Sequence, residues 1–236
     1  MARLVVASGN LHNHKAAVDY LRRRSRADHP EHFDICFTSE AWRRRRALSQ
    51  LLGHDYLTGT IPGPSQETGI LLSRALPNYG HGAYFLSAAA PQWEKIGKER
   101  WGQEAVTEFG GVGIALINLH PVPGPEALRG NDPDHPLVER YAAAMRWLEA
   151  TIARHRHLGH QVIAGGDLQM REHEKQLWAP RHVFADHKMT WHWGGIDAIA
   201  WTRGLTVVGS PRRRTDGDFP SDHPLLRVEL ELTRTN

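Results

Sequence analysis

The chain has 236 residues, 40% hydrophobic and 23% charged. This excludes a disordered polymer and leaves one large α/β domain over residues 1–236 as the simplest organisation. Lys and Arg number 29 against 26 Asp and Glu, a net charge of +3 that permits a phosphate-bearing substrate without demanding one.

In chain order, residues 4–7 read as a first strand, followed by Asn10; the apolar run is too short for a signal peptide. Residues 12–24 read as a helix with Ala16, Ala17, Tyr20 and Leu21 on one side. The strand 35–38 ends at Glu40 and contains Cys36, the one cysteine, which is expected to be buried and gives no disulfide and no argument for secretion. A helix over 42–52 follows. Strands are expected at Gly69–Ser73, 84–87 and Val112–Leu119, the last ended by His120. The clearest helix is 137–155, where Leu137, Tyr141, Met145, Leu148 and Ile152 recur at helical spacing. Pro136 sits near its start, where a missing N–H does no harm.

The strand 161–164 runs through Gly165-Gly166 to Asp167. Asp197 opens a strand at 198–201, another lies at 205–208, and Asp222-His223 precedes Leu225–Leu232. In that last strand Leu226, Val228, Leu230 and Leu232 alternate with Arg227, Glu229 and Glu231, which marks a half-exposed strand. Strands outnumber the helices needed to connect a parallel sheet, so much of the pairing should be antiparallel. Two packed sheets with helices outside suit the pattern. No stretch approaches a membrane span, so a soluble cytoplasmic protein with no evident protein partner is expected.

Three basic runs stand out: 22–24, 43–46 and 212–214. The first two read equally well as solvated faces. The third lies shortly before Ser221-Asp222-His223 and is expected as a loop at the mouth of a site, contacting phosphate. Trp191 and Trp193 are expected in the core, with stacking on a base or an apolar head group as the alternative. His155 and His157 are read as a solvated helix end. The letters His12-Asn13-His14 and the glycines of 109–113 are read as coincidences.

Carboxylates, amides and imidazoles thus recur at strand ends. Gathered at one sheet edge they would form a hard-metal and acid/base site. Ser8-Gly9-Asn10, Thr38-Ser39-Glu40, Asn118-Leu119-His120, Gly165-Gly166-Asp167-Leu168-Gln169, Gly195-Ile196-Asp197 and Ser221-Asp222-His223-Pro224 resemble the ordered motifs of the endonuclease/exonuclease/phosphatase (DNase I-like) superfamily. The resemblance covers nearly the whole chain. It implies a four-layer α/β sandwich with two mostly antiparallel sheets flanked by helices.

It also implies a site. Glu40 would bind a divalent metal, Mg²⁺ or Mn²⁺, with Asn10 beside it and Asp222 completing the metal or water network. Asp167 would orient or deprotonate the attacking water. His223, oriented by Asp197, would hydrogen-bond the phosphate or move a proton. His120, supported by Glu67, places the chain nearer the deoxyribonuclease and phosphatase branches than the abasic-site nucleases. Arg100 is a candidate substrate arginine, as are Arg212, Arg213 and Arg214. One departure is Gln169, where the family carries asparagine.

The function these residues imply is metal-assisted hydrolysis of a phosphodiester, with nucleic acid the expected substrate and partner. Two alternatives stay open. One is a phosphatase or phosphodiesterase acting on a small-molecule or lipid-head-group ester. The other is a weakened nucleic-acid-binding homologue, suggested by Gln169.

Overall fold

A computed structural model of the chain describes residues 3–58, 67–88, 99–123, 135–171, 179–214 and 219–233. The first sheet contains β1 (Leu4–Asn10), β2 (Ile35–Ser39), β3 (His54–Leu57), β4 (Gly69–Ser73), β11 (Leu205–Val207), β12 (Arg212–Arg214) and β13 (Leu225–Leu232). Its order is β11-β13-β1-β2-β4-β3, with β12 also paired to β13. The second contains β5 (Gly80–Ser87), β6 (Arg100–Phe109), β7 (Val112–Leu119), β8 (Gln161–Asp167), β9 (Thr190–Gly194) and β10 (Asp197–Trp201), in the order β5-β6-β7-β8-β10-β9. Each sheet has one parallel pair, β1 with β2 and β7 with β8; every other pairing is antiparallel.

The layering follows from alternation along the strands. On β1, Leu4 and Val6 face the second sheet and pack with Ile35, Phe37, Ile70, Leu116, Ile163, Ile199 and Val228. Val5 and Ala7 face outward and meet α1 (Lys15–Arg24) and α2 (Arg45–Leu48) through Ala17, Leu21 and Leu48. On the far side, Ala115, Ile117, Val162 and Ala164 meet α3 (Pro136–His157) and α4 (Pro180–Asp186) through Tyr141, Met145, Leu148, Ile152 and Phe184. Three apolar cores between four layers result. Each buried Leu or Ile contributes about 1.5–3 kcal/mol relative to exposure. The α/β sandwich with two mostly antiparallel sheets is therefore the observed architecture.

The helix expected from residue 12 begins at Lys15, because His12 and Asn13 hold positive φ of 43° and 54°. The helix expected over 42–52 is a 3-10 turn, Trp42–Arg44, followed by the single-turn α2. Neither has a capping side chain, and four consecutive arginines crowd like charge into one turn. The strands β3, β6, β9 and the helix α4 were not expected. β6 carries Arg100, Gln103, Glu104 and Glu108, which obscures an apolar alternation; Gln103 donates to the Thr68 carbonyl at 2.6 Å, while the buried Thr107 hydroxyl has no hydrogen-bond partner among the described residues.

Residues 212–214, expected as a loop, form β12 against β13. Gly110 and Gly111, with φ of 58° and 80°, make the β6–β7 hairpin turn, which needs left-handed backbone at both positions. Trp191 and Trp193 lie on β9 and pack on Phe184. His155 is buried, not solvated, because Glu104 accepts from its ring at 3.2 Å. Among the described residues no helix is long and apolar enough to cross a membrane.

Candidate active site

The sheet topology gathers the polar strand ends. The carboxyl ends of β1, β2, β7 and β8 and the amino ends of β4, β6, β10 and β13 all lie on one rim, because their pairings alternate in direction. Asn10 ends β1, Glu40 follows β2, Glu67 precedes β4, Arg100 opens β6, His120 follows β7, Asp167 ends β8, Asp197 opens β10 and His223 precedes β13. Sequence separations of up to 211 residues collapse here into hydrogen-bonding distance.

Asp167 is the hub. Its Oδ2 accepts from Asn10 Nδ2 at 2.9 Å and lies 3.6 Å from His120 Nε2 and 3.8 Å from His223 Nδ1. Its Oδ1 accepts from the Gln169 amide at 3.1 Å. It can sit so deep because two glycines precede it. A Cβ on Gly166, whose φ is 129°, would lie 2.2 Å from the Leu119 carbonyl oxygen, and one on Gly165 would lie 2.6 Å from the Phe37 ring.

On one side of the hub, Asn10 Nδ2 also approaches Glu40 Oε1 at 3.3 Å. Asn10 Oδ1 is taken by the His12 amide at 2.8 Å, so the side chain turns its donor toward both carboxylates. Glu40 sits at φ 50°, a left-handed conformation uncommon for a non-glycine residue, and remains half-buried. Ligand atoms of Glu40, His120 and Asp167 lie within 4.8 Å of one another. Two carboxylates and a neighbouring imidazole around one point suit a divalent cation that prefers oxygen donors.

Two imidazole–carboxylate pairs flank the hub. His120 Nδ1 is 3.4 Å from Glu67 Oε2 and 3.3 Å from Arg100 Nη1, and Arg100 is itself held by Glu67 at 2.6 Å. Its Nε2 meets the Gln169 side-chain amide at 3.3 Å. Across the hub, His223 Nδ1 lies 2.9 Å from Asp197 Oδ2. Asp167, Asp197 and His223 form a second set of ligand atoms within 4.8 Å.

The charges of this second set are not balanced. Burial pushes the Asp197 carboxyl well above the usual carboxylate range, against the pull of its hydrogen bond with His223. Its Oδ1 is buried with no hydrogen-bond partner among the described residues. Burial also works against a charged His223. The hydrogen bond to Asp197 and the charges of Asp167, Asp197 and Asp222 outweigh that, and raise the imidazole above its ordinary value. The pair therefore retains a proton that can be given to a bound oxyanion.

Ten of the thirteen expected site residues occupy this rim, but not on equal terms. Arg100 is buried beneath His120 and committed to Glu67. Asp222 is turned outward with its side chain 62% exposed, paired with His12 at 3.0 Å, and belongs to neither ligand group. Arg212 and Arg214 lie elsewhere: Arg214 is held by Glu31 on the outer face of the first sheet. Arg213, on the other face of β12, points toward Gly194 and Pro224 beside the rim.

Three supporting residues were given no role from the sequence. Ser221 Oγ donates to the Asn10 carbonyl at 2.7 Å and receives the His223 amide at 3.2 Å, and its place in Ser221-Asp222-His223 was the available signal. Asn118 Nδ2 donates to the Thr38 and Gly69 carbonyls, tying the two sheets just below the site. His12, dismissed as a coincidence, braces Asn10 and Asp222; nothing in the letters revealed that.

No family model matches the sequence, and no curated protein matches it either. Solved structures do. A mannosyl-6-phosphatase of Bacteroides thetaiotaomicron superposes with a TM-score of 0.69 at 16% identity, over 97% of this chain and 100% of the other. An endonuclease/exonuclease/phosphatase from Bacteroides vulgatus gives 0.69 at 13% identity, over 99% and 100%. TDP2 from Caenorhabditis elegans gives 0.64 at 17% identity, over 97% and 74%. At these identities the likeness is one of architecture, and it spans the whole sandwich. The chain has the fold of the endonuclease/exonuclease/phosphatase superfamily.

Proposed function

We propose that the protein is a divalent-metal-dependent phosphoester hydrolase that cleaves phosphodiesters of nucleic acid. The observation that carries this is the sharing of Asp167 by two ligand groups, Glu40–His120–Asp167 and Asp167–Asp197–His223. One group suits a cation and the other a proton donor, and a phosphate between them would touch both.

Glu40, with Asp167 beside it, would hold a Mg²⁺ or Mn²⁺ ion, whose charge offsets that developing on the phosphate oxygens. Asn10 Nδ2 keeps the two carboxylates together. Asp167 accepts the proton of the attacking water, being a carboxylate within reach of both imidazoles. His223 donates from Nε2 to a non-bridging or leaving oxygen, with Nδ1 held by Asp197, which fixes the tautomer. His120 presents Nε2 from the opposite side, its Nδ1 held against Glu67. No serine or cysteine nucleophile is needed.

Nucleic acid is favoured as substrate by the guanidinium-rich segment 43–46 immediately after Glu40, since polyanions are drawn to such rims. A second reading, hydrolysis of a small phosphate monoester, is favoured by the full-length likeness to a mannosyl-6-phosphatase. Incubation with plasmid, single-stranded DNA, RNA and mannose 6-phosphate, with Mg²⁺, Mn²⁺ or chelator, separates them. The nuclease reading requires chelator-sensitive cutting that is lost in His223→Ala. Release of phosphate from the sugar ester without any cutting would select the second reading instead.

A further inference from the structure

The arginines of β12 do not all face one way. Side chains alternate across a strand, so Arg212 and Arg214 project to the outer face of the first sheet while Arg213 projects to the opposite one. Arg213 Cδ lies 3.4 Å from where a Cβ of Gly194 would sit, and Pro224 lies 3.3 Å from the same point. Gly194 pairs with Asp197, and Pro224 follows His223, so Arg213 stands beside the catalytic rim. β12 pairs with β13 on one side only among the described strands, which makes it an edge.

Around that edge the positive charge continues. Arg24 and Arg214 converge on Glu31, and Arg227 binds Glu229, which also faces Arg3 and feels the charge of Arg212. Among the described residues, two carboxylates thus meet five guanidinium groups. Arg212 and Arg213 are exposed.

We propose that this edge is a track for the phosphodiester backbone of a nucleic acid, running from the rim past Arg213 and over the sheet edge to Arg212 and the Arg24–Arg214 pair. The inference rests on the function proposed above and extends it: the substrate is a polynucleotide long enough to leave the site and turn this corner. A flat anionic membrane fits poorly. The guanidinium groups are divided between two faces of one sheet, and among the described residues none of the exposed large hydrophobic ones, Leu52, Tyr79, Tyr84, Phe85 and Leu158, lies here to enter a lipid surface. Charge on an edge strand also blocks sheet-to-sheet aggregation, and salt dependence tells the two roles apart.

The test is binding of a labelled 30-nucleotide DNA, single- and double-stranded, to the whole protein in chelator, read by fluorescence anisotropy from low to high salt. Each phosphate contact removed flattens the plot of log affinity against log salt by about 0.9 for duplex and 0.7 for single strands. In the Arg212→Gln/Arg213→Gln double variant the slope should fall by one to two and the Kd should rise about tenfold. Arg146→Gln, an exposed arginine on α3, should leave both unchanged. An unaltered slope in the double variant, or an equal loss in Arg146→Gln, overturns the track. So does tighter binding to phosphatidylserine vesicles than to DNA. Turnover of bis(p-nitrophenyl) phosphate by the unsubstituted protein separates the two ideas: turnover without oligonucleotide binding overturns the track alone. Arginine-dependent binding without turnover of any ester overturns the hydrolase reading and leaves the track.

Discussion

Two clusters of buried carboxylates are built along the same six-stranded sheet, and they are settled on opposite terms. Glu104, in the middle of β6, accepts from Arg154, from the Tyr84 hydroxyl and from His155 Nε2. Burial acts to raise its pKa, yet these donors outweigh burial and hold it down at about 2. Asp197, at the rim, has one strong donor, His223, and a like charge next to it in Asp167; its pKa is raised instead. They go in opposite directions because depth and donors both differ: Asp197 is fully buried with one strong donor, whereas Glu104 keeps 8% exposure and accepts from three. The Glu104 cluster is complete as it stands. The rim has more carboxylates than cations, a deficit that a divalent ion and a phosphate-bound proton donor would use.

The sharpest way to break this contrast is to neutralise one carboxylate in each cluster. Asp167→Asn should lower kcat/KM on a responsive phosphoester by about 10²–10⁴-fold, the range for removing a general acid or base. Its melting temperature should move less than that of a Glu104 substitution, since repulsion with Asp197 is relieved as the hub bonds weaken. Retention of more than half the activity would remove Asp167 from the chemistry.

A cation offers the next largest effect. If the rim lacks positive charge, Mg²⁺ or Mn²⁺ at a hundredfold excess over its Kd stabilises the fold by about 2.7 kcal/mol. That raises the melting temperature by roughly 5–10 °C for a chain of this size. Glu40→Gln should abolish the rise, whereas Glu104→Gln should preserve it. A rise that survives Glu40→Gln would place the ion elsewhere.

What was legible in the sequence follows the same division. The rim residues could be read because each ends an apolar run, and because motifs such as Gly165-Gly166-Asp167 preserve a local geometry in their letters. The layers could be read where alternation or helical spacing was clean, as in β13 and α3. The Glu104 cluster could not. It joins β5, β6 and α3 through polar side chains whose partners lie 20 to 51 residues away, so β6 was given no element and His155 was read as solvated. The direction of Arg212 and Arg214 was hidden for a related reason. Nearness in sequence to His223 says nothing about the face of a strand, and only the pairing with β13 decides it.

Removing the complete cluster's carboxylate sharpens the comparison from the other side. Glu104→Gln should cost about 1–3 kcal/mol near neutral pH, because Arg154 and His155 lose a charged acceptor in a largely buried place. The sign with pH follows from the depressed value. Glu104 binds its proton more weakly in the folded chain, so its stabilisation is fully present above the ordinary carboxylate pKa of about 4.5 and is lost as pH falls toward 2. Urea midpoints of the parent and Glu104→Gln should therefore converge as pH drops from 5 to 2.5. A gap that widens on acidification would show that the cluster is not held by this carboxylate. Hydrolase activity of the variant should stay within a few-fold of the parent.

The smallest expected effect concerns Gln169, where the two kinds of environment meet. Its backbone has φ 57°, a conformation that costs an ordinary side chain about 1–2 kcal/mol and that asparagine tolerates better. Its side chain is long enough to reach His120 Nε2 at 3.3 Å. Gln169→Asn should therefore gain roughly 0.5–1 kcal/mol of stability from the backbone. The shorter amide would release that one contact of His120, whose Nδ1 is still held by Glu67 and Arg100. Activity should then change less than tenfold while the denaturation midpoint rises. A midpoint that falls would mean the contact with His120 outweighs the backbone strain, and that the longer side chain is part of how this rim is held together.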